Sequence, residues 1–174
     1  MDLKQIILRW LPTFLAFPIG GQLVVWLIGP VQDTLDAILG GAIVGITLGL
    51  LQFWALRPLK ISLSWLWGSV AGLTVGSPIA WALINYQTTI GALTLWGFVA
   101  GAILGISQAA FIRLAISKIF IWAAAVSLTW GLAWFISANV IVDAEAHYAV
   151  FGSTGAIVAT ALLGLVLNRA LKNK

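Results

Sequence analysis

The feature that most constrains this chain is a motif that occurs twice in apolar sequence. Residues 45–57 read Gly-Ile-Thr-Leu-Gly-Leu-Leu-Gln-Phe-Trp-Ala-Leu-Arg, and residues 101–113 read Gly-Ala-Ile-Leu-Gly-Ile-Ser-Gln-Ala-Ala-Phe-Ile-Arg. Both have the form G-x3-G-x2-Q-x4-R. A third, weaker copy is suggested by Gly155 and Arg169. A repeat at a fixed period predicts a fold built from copies of one unit, and in a membrane the copies define a symmetry axis.

The composition requires lipid as the solvent. The chain of 174 residues is 61% hydrophobic and 8% charged, whereas soluble domains average about 25% charged residues. The absence of cysteine excludes disulfides, thiolate metal sites and a cysteine nucleophile. The basic amino-terminal segment is interpreted as leading into a retained first span, because Pro12 and Pro18 interrupt the apolar run.

Six segments have the length and apolarity of spanning helices, which need about 20 residues. They cover residues 10–28, 37–56, 63–84, 92–112, 119–137 and 149–167. Short loops make consecutive helices antiparallel neighbours. The sequence therefore predicts an all-α membrane protein with six transmembrane helices in one transmembrane domain, residues 1–174.

The distribution of charge predicts the orientation. With six spans, all Lys and Arg residues lie on one side of the membrane: Lys4, Arg9, Arg57, Lys60, Arg113, Lys118, Arg169, Lys172 and Lys174. The opposite loops carry Asp33, Asp36, Asp143 and Glu145. Basic loops remain on the cytoplasmic side, so both termini are predicted to be cytoplasmic, or stromal in a thylakoid. This placement explains the net charge of +4 without a nucleic-acid partner.

The repeat unit is a helical hairpin. Trp10 and Trp65 are 55 positions apart, Gln52 and Gln108 are 56 apart, and Trp122 follows Trp65 by 57. The approximate units are residues 1–60, 61–117 and 118–174. Because each unit has two spans, all three share one orientation, and we expect a pseudo-threefold axis along the membrane normal.

The third unit has no glutamine at the motif position. Alignment on Arg169 places Gly164 there, and alignment on Gly155 places Leu162 there. Either alignment excludes a ring of three glutamines around the axis.

Glycines recur every four residues on several predicted helices. They are Gly41, Gly45 and Gly49, then Gly68, Gly72 and Gly76, then Gly97, Gly101 and Gly105. Such spacing forms one stripe along a helix, and small residues allow close helix packing in lipid. The alternative function for the stripe is a groove for a flat ligand, such as a carotenoid or a chlorin, or for a partner helix.

Gln52 and Gln108 lie on the same face as the glycines, five residues before Arg57 and Arg113. A buried amide must find hydrogen-bonding partners. Interhelical hydrogen bonding is the simpler interpretation. The alternative is a binding site, in which the amide oxygens bind a polar ligand or a chlorophyll magnesium, since magnesium prefers oxygen ligands.

Arg57 and Arg113 end their helices at the basic side. A cation there complements the helix dipole and lipid headgroups, so we expect both to contact membrane lipid.

Tryptophans flank the predicted spans. Those at inner ends are Trp10, Trp54, Trp65 and Trp122, and those at outer ends are Trp26, Trp81, Trp96 and Trp134. Tryptophan favours the headgroup region, where its N–H stays hydrated. The sequence therefore predicts two interfacial belts.

No catalytic arrangement stands out. Asp143, Glu145 and His147 alternate in one loop, but a metal site usually needs three or four convergent ligands. Ser153 is too near His147 in sequence for a nucleophile and base held on separate helices. No charged residue lies in the middle of a span, which argues against ion-coupled transport. An enzyme is not expected.

The paired G-x3-G-x2-Q-x4-R motif with tryptophan-rich flanking helices resembles small integral membrane proteins of photosynthetic and related bacteria that have no agreed activity. The resemblance covers helices two to five. It implies a bacterial inner membrane or a thylakoid membrane, and it makes chlorophyll or carotenoid the pigments to consider.

The function expected from these observations is a non-enzymatic membrane subunit, a scaffold or accessory component that contacts other membrane proteins in a larger complex. The alternative is a small-molecule transporter or solute-binding subunit, with its ligand near Gln52 and Gln108 or in a vestibule at the outer side.

Overall fold

A computed structural model describes residues 3–140 and 153–171, and all regular secondary structure in these ranges is helical. Helix α1 (Leu3–Trp10) continues through a 3-10 turn (Leu11–Leu15) into α2 (Ala16–Leu27). The helices that follow are α3 (Thr34–Leu56), α4 (Ser64–Leu83), α5 (Ile90–Phe111), α6 (Ile116–Val140) and α7 (Ser153–Leu171).

Five helical segments are long and apolar enough to cross a membrane: Ile7–Leu27, Thr34–Leu59, Ser64–Leu83, Ile90–Phe111 and Ile116–Val140. The apolar part of α7, Ser153–Leu167, is shorter, and the predicted start of this span at 149 falls outside the described residues. The predicted all-helical fold is confirmed for the described residues, and five helices of this length and apolarity are compatible with a multi-pass membrane protein.

Local sequence signals explain the ends of the long helices. The Asp33 carboxylate accepts from the backbone N–H of Asp36 at 2.9 Å, and the Thr89 hydroxyl oxygen accepts from that of Ala92 at 3.3 Å, so α3 and α5 both begin with a side-chain cap. The predicted first helix is interrupted by the 3-10 turn. Pro12, near the start of this turn, cannot donate a backbone hydrogen bond.

The helices form a closed ring in the described part of the chain. Each of α2 to α6 packs against the next described helix, and α7 packs against α1 and the 3-10 turn. The Trp10 indole N–H donates to the backbone carbonyl of Thr160 at 2.9 Å, which joins the first and last helices. Residues near the two ends of the sequence therefore meet inside the bundle.

The glycine stripes lie where helix backbones come closest. A Cβ added to Gly45 would lie 2.9 Å from the carbonyl oxygen of Ser69 on α4, and one added to Gly101 would lie 2.9 Å from that of Val126 on α6. Added Cβ atoms meet α4 at Gly41 and Gly49, α5 at Gly68, Gly72 and Gly76, and α6 at Gly97 and Gly105. These glycines therefore lie in the packed interfaces, where a side chain would force the helices apart.

Candidate functional site

A buried polar network crosses the bundle at the level of the two motif glutamines. The Gln108 side-chain Nε2 donates to Gln52 Oε1 at 3.0 Å and to Ser69 Oγ at 2.9 Å. The Ser69 hydroxyl donates in turn to the Trp65 carbonyl at 3.0 Å. Gln108 is 1% exposed and Ser69 is 0% exposed, so both lie in an environment where an unpaired polar group is costly. We refer to Gln52, Trp65, Ser69, Gln108 and Trp122 as the inner network.

Two tryptophans orient the glutamine amides. Trp65 Nε1 donates to Gln52 Oε1 and Trp122 Nε1 donates to Gln108 Oε1, each at 3.1 Å. An indole N–H only donates, so it must face the oxygen of each amide. The two indole rings also contact each other, with centroids 5.7 Å apart. The two motif copies thus make the same glutamine–tryptophan pair, each with the tryptophan on the following helix.

The prediction of an inner tryptophan belt is wrong for three of its four members. Trp10, Trp65 and Trp122 are 1%, 1% and 2% exposed, and their N–H groups bond to protein rather than to water or headgroups. Their large rings fill the bundle interior because each finds an acceptor there, which removes the cost of burying the N–H. Trp54, in contrast, is half exposed, and the Arg9 guanidinium lies 5.0 Å from its ring centroid.

In the alignment on Arg169, Gly164 of the predicted third hairpin stands where the first two hairpins have a glutamine, and it packs against Trp10. A Cβ on Gly164 would lie 3.0 Å from the Trp10 indole, whose N–H donates to the Thr160 carbonyl one turn earlier on the same helix. Gly164 therefore faces Trp10 as Gln108 faces Trp122. Gly155 packs differently, against Ala133 of the preceding helix α6. This geometry favours the alignment on Arg169, with Gly164 at the glutamine position, over the alignment on Gly155.

The inner network leaves little capacity for a ligand. Gln52 Oε1 accepts two hydrogen bonds and Gln108 Oε1 accepts one. A chlorophyll magnesium bound to either oxygen would have to compete with these bonds in a closely packed region. The contacts instead match interhelical hydrogen bonding between motif copies.

The two motif arginines lie away from this network. Arg57 and Arg113 are exposed at the ends of α3 and α5. Arg113 has a φ of +59° in the left-handed region and ends the helix there. Their exposure leaves both guanidinium groups accessible to headgroups, and lipid contact stays a prediction.

A cavity of about 140 Å³ lies in the half of the bundle opposite the inner network, which the sequence predicts to be the outer half, and it is partly open to its surroundings. Its lining side chains come from α2 to α6 and from the segment between α2 and α3, and they are uncharged. Five of them are aromatic: Phe17, Trp81, Trp96, Trp130 and Trp134. Trp96 lies among the others, with ring centroids 5.0 Å from Trp134, 5.9 Å from Trp81 and 6.4 Å from Trp130. We refer to this site as the outer cavity.

The outer cavity holds polar groups without protein partners. Trp96 Nε1 is buried and has no hydrogen-bond acceptor among residues 3–140 and 153–171. The Ser77 hydroxyl, on a residue 5% exposed, makes no hydrogen bond within the same ranges. Buried polar groups are usually bonded, so the unpaired Trp96 N–H beside this cavity marks a place where a ligand or water is expected.

The predicted outer tryptophan belt is wrong for Trp96, which is 9% exposed and lies against the cavity. Trp26 is 74% exposed, as expected of an interfacial residue. The sequence did not predict that Trp96, Trp130 and Ser77 form one group. Helical spacing within each segment could not show that three different helices bring these residues together.

The described residues contain no group of three or more His, Cys, Asp or Glu residues that could hold a metal ion. Asp143, Glu145 and His147 lie outside the described residues, so the predicted absence of a metal site there stays a prediction.

Comparisons with protein-family models, curated proteins and solved structures find no match for this chain.

Proposed function

We propose that this protein is a non-enzymatic integral membrane protein that holds a small apolar solute in the outer cavity. This is the solute-binding alternative raised by the sequence, with the site at the outer side rather than at Gln52 and Gln108. The observation that carries the proposal is an uncharged, aromatic-lined cavity of about 140 Å³.

The size and lining of the outer cavity support an apolar occupant. A cavity of about 150 Å³ lined by apolar side chains remains dry and binds benzene. The outer cavity has a similar volume, and five aromatic side chains line it. Aromatic side chains supply large apolar contact area with little conformational freedom to lose. A single six-membered ring is therefore the expected scale of the solute.

The inner network supports a closed inner half. Trp65, Trp122 and Gln108 are almost completely buried, and their hydrogen bonds, which run through Gln52, link α3, α4, α5 and α6. A solute passing through would have to break these bonds in a low-dielectric region, where replacements are scarce. We therefore propose that the protein binds its solute from the outer side and does not form an open pore.

The topology that we propose has six spans in three tandem hairpins, with both termini on the basic, cytoplasmic side. The equivalent Gln52–Trp65 and Gln108–Trp122 pairs and the closure of α7 onto Trp10 support the pseudo-threefold arrangement. The acidic Asp33 and Asp36 at the start of α3 support the orientation. In this topology the outer cavity faces away from the cytoplasm.

The accessory-subunit function predicted from the sequence, including a role in a photosynthetic complex with chlorophyll or carotenoid, stays a prediction. A bacterial inner membrane or thylakoid location is part of the same prediction.

Filling the cavity tests the proposed function. Gly40 lines the cavity, and a Cβ there would make only ordinary contacts at 3.5 Å or more with Val24 and Val31. Gly40→Leu should therefore fold while occupying solute space. In lipid nanodiscs, toluene should raise the Tm of the wild type and not that of Gly40→Leu, because a solute bound only to the folded state stabilises it.

The control is Leu39→Phe, the neighbouring residue, which is 45% exposed and adds bulk on the outside of the bundle. It should retain the wild-type toluene effect, so any effect of toluene on the bilayer itself cancels. Gly40→Ala provides a smaller filling if the leucine variant is unstable. Equal toluene-dependent shifts in the wild type and both Gly40 variants, or none in the wild type, would overturn the proposal.

A further inference from the structure

We propose that the solute of the outer cavity is a neutral, single-ring compound with a carbonyl oxygen conjugated to the ring, and that Trp96 Nε1–H donates a hydrogen bond to this oxygen. The inference rests on the proposed function and specifies its ligand class. It follows from polar groups in the outer cavity that the protein itself leaves unpaired.

The first observation is the indole of Trp96. The residue is 9% exposed, it lines the cavity, and its buried N–H has no acceptor within residues 3–140 and 153–171. The contrast lies in the same molecule, since the buried indoles of Trp10, Trp65 and Trp122 each donate to a protein oxygen. Because an indole N–H can only donate, the group that would complete Trp96 is an acceptor.

The second observation is the hydroxyl of Ser77. It lines the same cavity from α4, on a residue 5% exposed, and it makes no hydrogen bond in the described part of the chain. On the same helix, the Ser69 hydroxyl donates to a backbone carbonyl one turn earlier. A carbonyl oxygen has two lone pairs, so one ligand oxygen has the capacity to accept from both Trp96 and Ser77.

The residues that line the cavity indicate the charge and shape of the rest of the ligand. No lining residue is charged, and an ionised group placed there would be unpaired in a low-dielectric site. The rings of Phe17 and Trp130 are 5.2 Å apart, and those of Trp81 and Trp96 are 5.9 Å apart. Aromatic faces and edges favour a planar ring. A neutral aromatic ketone satisfies the volume, the planarity and the unpaired donors together.

Two probes of the same shape separate the hydrogen bond from the apolar contacts. Acetophenone has the carbonyl oxygen, and α-methylstyrene replaces that oxygen with a methylene group. The protein is labelled with 15N at the tryptophan indoles and studied in nanodiscs by NMR, so each N–H gives one signal. Trp96→Phe identifies the Trp96 signal.

The expected result is a saturable downfield shift of the Trp96 N–H proton with acetophenone. The signals of Trp81 and Trp130, which also line the cavity, should respond to both probes. Trp54, which is half exposed, reports partitioning into lipid, and Trp65 in the inner network should not respond. Acetophenone should bind about tenfold more tightly than α-methylstyrene, because the latter leaves the donors unpaired.

The variants distinguish the two proposals. Trp96→Phe should remove most of the preference for acetophenone while retaining α-methylstyrene binding, and Ser77→Ala should reduce the preference in part. Equal affinity for both probes with no Trp96 proton shift would overturn the carbonyl inference and leave the cavity as an apolar binding site. If neither probe perturbs Trp81, Trp96 or Trp130 beyond the shift seen at Trp54, the proposed function itself fails.

Discussion

The inner network and the outer cavity use the same residue types with opposite outcomes. In the network, Ser69 and the indoles of Trp65 and Trp122 are bonded to protein. In the cavity, Ser77 and the indole of Trp96 have no partners among the described residues. Ser69 and Ser77 lie on the same helix, eight residues and therefore about 12 Å apart along its axis.

The difference is explained by what each region packs against. The glutamine side chains carry both donors and acceptors into the network, so each indole finds an oxygen. The cavity is lined mainly by aromatic and aliphatic groups, and Trp96 Nε1 finds no acceptor there among the described residues. The comparison indicates that the two glutamines satisfy the indoles of the inner network, whereas the Trp96 N–H beside the outer cavity remains unpaired.

Gln108→Leu should cause the largest loss of stability among the three variant sets that test this comparison. It removes hydrogen bonds to Gln52, Ser69 and Trp122 and leaves the Trp122 N–H buried without an acceptor. We expect a loss of about 2–3 kcal/mol in the free energy of unfolding, measured by SDS titration in mixed micelles. Gln52→Leu and the double variant complete a thermodynamic cycle, and strictly additive losses would show that the two glutamines do not act together.

Gly101→Ala should have the next largest effect. Its Cβ would lie 2.9 Å from the Val126 carbonyl oxygen and 3.1 Å from Ser127 Cα, so α5 and α6 must move apart. We expect a loss of about 1–2 kcal/mol from this overpacking. The matched control on the same helix is Gly91→Ala, which has no atom within 4 Å of the added Cβ. Similar stability of the two variants would contradict the close-packing role of the stripe.

The smallest expected effect is the difference in stability between Trp122→Phe and Trp96→Phe, which is also the most direct test of the comparison. Both shorten a buried aromatic side chain, yet only Trp122 donates to a protein acceptor, the Gln108 amide oxygen. We expect Trp122→Phe to be the more destabilising by about 1 kcal/mol, measured by the same titration without ligand. Equal losses would contradict this expectation, because they would show that the Trp96 N–H also has a hydrogen-bond acceptor in the membrane.

The sequence predicted the helices well because helix formation in lipid is a local requirement. Every backbone polar group must form its hydrogen bond within its own segment. Apolar runs long enough to cross the membrane therefore indicate spanning helices. The five spanning segments agree with predicted positions within a few residues at most ends. The first helix differs at its start, where the chain is already helical from Leu3.

The sequence also identified Gln52 and Gln108 as polar groups that need partners. It could not identify those partners. The Gln108 amide meets Gln52 at a separation of 56 residues, and Trp10 meets Thr160 at a separation of 150. Such pairs depend on how far each helix is rotated and shifted against its neighbours, which local periodicity does not specify.

Composition and spacing by themselves determined that this chain is helical and suited to a membrane, and that glycine stripes permit close contact between its helices. Only the tertiary structure decided that Trp65 and Trp122 close the interior while Trp96 faces a cavity with its N–H unpaired. The physical reason is that moving apolar surface from lipid into contact with another helix gains little free energy. Packing and a few hydrogen bonds therefore decide which face of each helix points into the bundle. These contacts exist only once the helices have assembled.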